Sequence, residues 1–202
     1  KRFFNGLAEN WRKESTLDET AISALFSQVS LPAGGSVLDA GCGTGVIDGY
    51  LKTVCRNVDA VDISEKMIEK ARINNPEVNY YVADFYEFKN TELYDCIVVF
   101  DAYPHFMDKE NFAVKANSLL NDFGTLWILF DESRERINGY HSGRSDISVS
   151  LLPAEREAAK LNEFFEVICN IDDAERYILG LKKKIKKLNF FEIGIYLSIK
   201  KK

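Results

Sequence analysis

Val37-Leu38-Asp39-Ala40-Gly41-Cys42-Gly43-Thr44-Gly45 is the stretch from which the rest of the chain is read. An apolar run bounded upstream by Gly34-Gly35 feeds into three glycines at alternate positions. Apolar residues at helical spacing follow: Val46, Ile47, Tyr50, Leu51 and Val54. The pattern is that of a strand, a tight turn and a helix start. Glycine admits positive φ and lets the backbone approach a ligand closely, while the free N–H groups that open the next helix face the same space. The turn reads as a ligand cradle. Asp39, two residues before the first glycine, narrows the choice of ligand. A dinucleotide fingerprint spaces its glycines G-x-G-x-x-G and seats a pyrophosphate on the helix N-terminus, where a carboxylate would repel it. Here the third glycine comes early, and a ligand carrying ammonium and sulfonium charges without phosphate is the complementary one.

S-adenosylmethionine is such a ligand, and the stretch resembles the first motif of the class I S-adenosylmethionine-dependent methyltransferases, an acidic residue followed by G-x-G-x-G after the first strand. On that resemblance Asp39, Gly41, Cys42, Gly43 and Gly45 form the cofactor cradle. A nicotinamide-dependent oxidoreductase and a non-catalytic S-adenosylmethionine-binding module are the alternatives. Asp39 and the early glycine count against the first.

Downstream, Asn57 to Asp62 reads as a second strand ending in a carboxylate. Asp62 falls 21 positions after Gly41, near the ~20-residue interval at which an acidic side chain reaches ribose hydroxyls in doubly wound folds. Ser64 caps a helix with Met67, Ile68 and Ala71 inward, stopped by Asn74-Asn75-Pro76. Val78 to Ala83 is a third strand, ending in Asp84-Phe85; the resemblance implies that Asp84 meets the adenine amine and Phe85 packs the ring. It also adds Ile63, Met67 and Asp101 to the cofactor side. Tyr94 to Phe100, almost wholly apolar, reads as a fourth strand buried on both faces. Asp108 caps the next helix, Asn121 to Gly124 turns, and Thr125 to Phe130 is a fifth strand. Asp131 to Leu152 is a polar connection of functional length. Pro153 opens a helix to about Asn162, and Phe164–Ile171 and Arg176–Leu181 form a closing antiparallel pair.

Sustained alternation of strand and helix calls for a Rossmann-like α/β sandwich of three layers. The resemblance implies a mostly parallel seven-stranded sheet with an antiparallel C-terminal hairpin. Residues 1–183 form the methyltransferase domain, with 1–33, including Phe4, Trp11 and a helix over Leu17–Val29, as an N-terminal helical cover. Residues 184–202 are a basic and apolar extension suited to an edge strand.

Methyl transfer is an in-line displacement that needs a base where the acceptor carries a proton. The two histidines, His105 after the fourth strand and His141 after the fifth, both fall where strand ends gather. Asp101 and Tyr103 stand beside His105, so these four are the candidate catalytic groups; no metal site is expected, because no local ligand spacing supports one. Pro104-His105-Phe106 and the segment from Ile137 to Pro153 resemble a subset of bacterial methyltransferases with no assigned substrate. Asp101-Ala102-Tyr103-Pro104 departs from the N/D-P-P-Y motif of amino-methyltransferases acting on bases or glutamine.

Composition sets the frame. An apolar share of 46% over 202 residues is that of one globular domain. No run approaches a membrane span, and Lys1-Arg2-Phe3-Phe4 leads into polar residues rather than a secretory core, so a cytoplasmic protein is expected. The four scattered cysteines read as reduced thiols, with Cys96 and Cys169 in the core. The net charge of −5 hides eight lysines against one acid over 182–202, which leaves −12 on the rest. That balance disfavours a polynucleotide and favours a small-molecule acceptor.

Overall fold

The computed structural model describes residues 1–8 and 18–185. Seven strands form one sheet: β1 (Ser36–Ala40), β2 (Asn57–Asp62), β3 (Asn79–Val82), β4 (Tyr94–Phe100), β5 (Leu120–Phe130), β6 (Phe165–Asp172) and β7 (Tyr177–Lys183). Their order is β3-β2-β1-β4-β5-β7-β6. The first five are parallel, and β7 inserts antiparallel between β5 and β6. The order reverses between β1 and β4, the place where open parallel sheets bind ligands at their carboxyl ends.

Helices cover both faces: α1 (Arg2–Leu7), α2 (Glu19–Phe26), α3 (Asp48–Val54), α4 (Glu65–Asn74), α5 (Lys109–Leu119), α6 (Arg134–His141) and α7 (Ala154–Leu161). Because side chains alternate across a strand, neighbouring residues enter opposite cores. Val37, Val58, Cys96 and Val98 pack with Ile22, Leu25, Leu51 and Ile68 on one face. Leu38, Val61, Ile97 and Val99 pack with Phe112, Ala116, Ala158 and Leu161 on the other. Caps set the helix starts. Asp18 Oδ1 accepts from Ala21 N at 2.9 Å, Ser64 Oγ from Met67 N at 3.3 Å, and Asp108 Oδ1 from Asn111 N at 2.9 Å. Ser64 also donates to Asn5 Oδ1 at 2.6 Å, and Lys70 Nζ to Ala8 O at 2.6 Å, which seats α1 on α4.

Several expectations need correction. The connection after β5 contains α6, started by Ser133, whose Oγ accepts from Arg136 N at 3.4 Å. Its one buried residue is Ile137, so hydrophobic spacing gave no signal. The segment is nonetheless tied down: Asn138 donates to Leu151 O at 2.9 Å and accepts from Leu151 N at 2.7 Å. The turn at Asn121–Gly124 lies within β5 as an irregularity, with Leu120 opposite Tyr94 and Thr125 opposite Cys96. Cys169 is half-buried on the edge strand rather than in the core. α2 runs over Glu19–Phe26 only. Trp11, Leu17 and nearly all of the C-terminal extension fall outside the described residues. Among the described residues, no helix is long and apolar enough to cross a membrane.

Candidate active site

The turn after β1 is held from both sides by the protein itself. Gly41 N and Cys42 N donate to Val61 O at 2.8 and 3.2 Å. Asn74 Nδ2 donates to Thr44 O at 3.0 Å, and Asn75 Nδ2 to Gly45 O at 2.8 Å. Gly41 has φ +81°, and a Cβ there would stand 2.8 Å from the Ala102 Cβ. The glycine therefore lets the turn close against the loop after β4. At Gly45 a Cβ would meet Tyr80 Oη at 2.6 Å and Asp48 Oδ2 at 2.8 Å, so this glycine makes room for buried polar groups rather than for a ligand.

Those groups revise the reading of Asp39. Its side chain is buried beneath the turn, against the carboxyl of Asp48, itself fully buried at the start of α3. Tyr80 Oη donates to Asp48 Oδ2 at 2.8 Å. Burial pushes the Asp48 carboxyl up to about 6, with the hydrogen bonds to Asp39 and Tyr80 acting in the opposite sense. Asp39, Cys42 and Gly45 thus support the cradle from below and do not line the cavity. Burial raises the Cys42 thiol well above its ordinary value, so it stays protonated and inert.

The cavity, of about 280 Å³, opens at the carboxyl ends of β1, β2, β3 and β4. It brings together Gly41, Gly43, Asp62, Ile63, Met67, Asp84, Phe85, Asp101 and His105. Asp62 ends β2; its Oδ2 accepts from Gly43 N at 3.0 Å and its Oδ1 from Ser64 N at 2.8 Å. Each oxygen keeps a second lone pair. Burial raises this carboxyl, and the two N–H donors work against the rise. Asp84 Oδ1 accepts from Tyr86 N at 3.0 Å. The buried Phe85 ring stands edge-on to Phe106 at 5.3 Å. Asp101 holds φ +51°, a left-handed conformation in a residue other than glycine, at the edge of the cavity.

His105 rides a 3-10 turn, Tyr103–His105. Its Nδ1 lies 2.9 Å from Ile147 O. A carbonyl only accepts, so that contact assigns the proton to Nδ1 and leaves the Nε2 lone pair available. Burial pushes the imidazole below its ordinary value, opposed by the Ile147 bond and assisted by the Lys109 and Arg144 cations. Phe4 of α1 packs edge-on to His105 at 4.9 Å, and the His141 ring lies 4.9 Å away on another side. His141 lines a second, serine-rich cavity with Asn138 and Ser148, and burial, then His105 and Arg144, hold it down at about 4. Val149 N donates to Pro104 O at 2.9 Å, a further tie between this segment and the His105 turn.

Tyr103, expected beside the acceptor, is instead in the core: fully buried, its hydroxyl 3.4 Å from Glu157 Oε2 and its ring edge-on to Phe112. A 3-10 helix has three residues per turn, so residues 103 and 105 point about 120° apart around its axis, one to the core and the other to the cavity. Sequence reasoning missed Phe106, Tyr86, Asp146, Ile147, Lys1 and Asp48. Phe106 adjoins a residue already singled out, and Asp48 is an acid on the buried face of a helix. Asp146 and Ile147 carry no local signal.

Four carboxylates, Asp62, Asp84, Asp101 and Asp146, border the cavity against Lys1 as its fixed cation among the described residues. Ile63, Met67, Phe85 and Phe106 give it apolar walls. Such a set of acceptors takes hydrogen bonds from hydroxyls and amines and favours cations, which fits S-adenosylmethionine and opposes a pyrophosphate. The fold is Rossmann-like, and this acid-lined, apolar-walled cavity suits a ligand of positive charge without phosphate.

Comparison with known proteins agrees. A methyltransferase-domain family matches residues 37–124. The ubiquinone biosynthesis O-methyltransferase of Rickettsia prowazekii is 32% identical over 179 residues, 82% of this chain and 71% of that protein. A putative methyltransferase of Invertebrate iridescent virus 6 is 24% identical over 122 residues, 59% of this chain and 46% of that protein, just under half its length. Among solved structures, DhpI with S-adenosylhomocysteine superposes with a TM-score of 0.72 at 16% identity, covering 91% of this chain and 94% of that one. The N-methyltransferase NodS of Bradyrhizobium japonicum, also with S-adenosylhomocysteine, gives 0.69 at 16% identity over 89% and 98%. The chain belongs to the class I S-adenosylmethionine-dependent methyltransferases, whose methyl donor is S-adenosylmethionine. The oxidoreductase alternative falls with that finding.

Proposed function

We propose that this enzyme methylates a hydroxyl oxygen of a small molecule, with His105 as the base. The observation that carries the reading is the Nδ1 contact of His105 with Ile147 O at 2.9 Å, which leaves Nε2 free on a side chain bordering the cavity. S-adenosylmethionine supplies an electrophilic methyl on a cationic sulfur. Asp62 would accept from the ribose hydroxyls and Asp84 from the adenine amine, with Phe85, Ile63 and Met67 supplying apolar surface for the ring. Asp101, at the end of β4, would supply negative charge for the cationic end. His105 takes the acceptor proton at Nε2, and its lowered basicity keeps it neutral at pH 7, ready to receive it. His141 backs the ring and lines the adjoining polar cavity. An oxygen acceptor is supported by the relatives of 30% identity or more, which are named O-methyltransferases and include a malonyl-[acyl-carrier protein] O-methyltransferase of Pectobacterium atrosepticum at 33% over 81 residues. A carboxylate acceptor would need no base, so His105 favours one that carries a proton.

Calorimetry with S-adenosylhomocysteine and NAD, on the wild type, Asp62→Ala and His105→Ala, tests the cofactor side. A panel of hydroxylated small molecules, read by release of S-adenosylhomocysteine from S-adenosylmethionine, tests the acceptor side. The expected pattern is binding of S-adenosylhomocysteine but not NAD, and affinity lowered about tenfold to a hundredfold by Asp62→Ala, as for lost hydrogen bonds to a charged group. His105→Ala should keep the affinity and lose turnover. Turnover that survives His105→Ala would remove the base.

A further inference from the structure

Three ionisable side chains sit deep in the core beside the cavity and take no part in lining it: Lys109, Glu157 and Tyr103. Lysine and glutamate are seldom buried. Lys109 is doubly out of place, because it is also the first residue of α5, where the helix dipole disfavours a cation. Helix formation asks for nothing of the kind there. What the lysine does is hold Tyr103. Its Nζ donates to Tyr103 O and lies 3.4 Å from the centroid of the Tyr103 ring. Phe106 N donates to the same carbonyl at 3.1 Å, and His105 N donates to Ala102 O at 3.0 Å, which closes the turn. Glu157 of α7 takes the other end: its Oε2 lies 3.4 Å from the Tyr103 hydroxyl, while its Oε1 accepts from Leu152 N at 3.0 Å. Backbone, ring and hydroxyl of Tyr103 are thus all gripped two residues before His105.

We propose that Lys109 is a positioning residue for the reaction, fixing from inside the core the 3-10 turn that presents His105 to the cavity. The proposal rests on the reading of His105 as the base. The lysine also acts through its charge. Burial holds its ammonium down to about 7, with Glu157 opposing the fall, so it remains a cation over the lower range in which His105 titrates. A cation there favours the neutral imidazole that a base requires. Among the described residues, the other charged or titratable groups around His105 are His141 at the end of α6, Arg144 and Asp146 in the segment after it, Asp101 at the end of β4, and Lys1 ahead of α1. Arg144 acts in the same sense as Lys109.

The chain has two histidines, so imidazole 15N NMR, with His141→Gln for assignment, reads His105 without any acceptor in hand. Wild type should show the Nδ1–H tautomer and a midpoint below the ordinary value. Lys109→Met should keep affinity for S-adenosylhomocysteine within about twofold, as for a site without cofactor contact, yet move the midpoint upward and mix the tautomers. Lys109→Gln, which keeps a donor without the charge, should restore the tautomer and leave the midpoint high; Lys109→Arg should bring the midpoint back down. An unchanged midpoint and tautomer in a Lys109→Met protein that still binds S-adenosylhomocysteine would overturn the proposal. If that variant does not fold, an unmoved midpoint in Lys109→Gln overturns it equally, as does an Nε2–H tautomer in the wild type. Turnover surviving in His105→Ala would defeat the base reading instead, and the NMR result would stand apart from it.

Discussion

Asp62 shows how one carboxylate can tie two elements together at the border of the cavity. By accepting from Gly43 N and Ser64 N it joins the glycine turn to the start of α4. His105 likewise gives Nδ1 to the protein, at Ile147 O, which leaves the Nε2 lone pair available on a side chain bordering the cavity. His141 behaves differently. Its imidazole is held down at about 4 by burial and two neighbouring positive or protonatable groups, against an ordinary 6.5. The unfolded chain therefore takes up a proton as pH falls through 6.5, while the folded chain refuses one until about 4. By linkage, stability is present above 6.5 and drains away as pH falls between those values. Asp48 and Asp62, whose carboxyls are raised, work in the opposite sense over the lower part of the range, so the useful quantity is a difference. The melting temperature of wild type minus that of His141→Gln, measured by scanning fluorimetry, should shrink from pH 8 to pH 5. A constant difference would mean that His141 is as exposed folded as unfolded.

At the scale of elements, two glycines in unlike settings separate stability from binding. Gly41 lies in the turn at φ +81° against Ala102, whereas Gly180 lies within β7, where a Cβ would come 2.4 Å from Trp127 Cζ3. Gly180→Ala forces a core ring aside far from the cavity and should cost about 1–3 kcal/mol of stability, the range for overpacking, seen as a lower urea midpoint with unchanged affinity for S-adenosylhomocysteine. Gly41→Ala should lose stability and affinity together, since it strains the turn and pushes the loop carrying Ala102 and His105 outward. Loss of affinity in Gly180→Ala would show that sheet and cavity are coupled more tightly than the packing implies. The segment that carries α6 is another element whose order comes from its ties: Asn138 to Leu151, Val149 to Pro104 and Ile147 to His105. The last two connect a stretch some forty residues later in sequence to the turn after β4.

For the whole molecule, the acid-lined cavity sets which ligands stabilise the fold. A ligand that binds only the native state adds about 2.7 kcal/mol at a hundred times its dissociation constant. S-adenosylhomocysteine should raise the melting temperature accordingly, and NAD at equal concentration should leave it unmoved; a shift with NAD would contradict the charge argument. Much of this architecture was legible from residue spacing. The strand-turn-helix at Val37 to Val54, the carboxylate ending β2, the caps Ser64 and Asp108, and the alternation that requires a parallel sheet all follow from local rules of backbone geometry and burial. Asp62, Asp84, Phe85 and His105, singled out because strand ends converge at one edge of such a sheet, all line the cavity. What spacing could not reach lies wherever distant segments meet. It placed Asp39 toward a ligand, whereas tertiary packing turns it under the turn against Asp48. It placed Tyr103 with His105, whereas the 3-10 turn sends one into the core between Lys109 and Glu157 and the other to the cavity. It gave no sign of Ile147 or of the contact between the two imidazoles. The sequence by itself determined the sheet, the cradle and the class of ligand, because periodicity, capping and glycine spacing act over a few residues. The tertiary structure alone decided which carboxylates face the cavity, which tautomer His105 adopts and what holds its turn, because burial and hydrogen-bond partners come from chain segments whose separation in sequence carries no such signal.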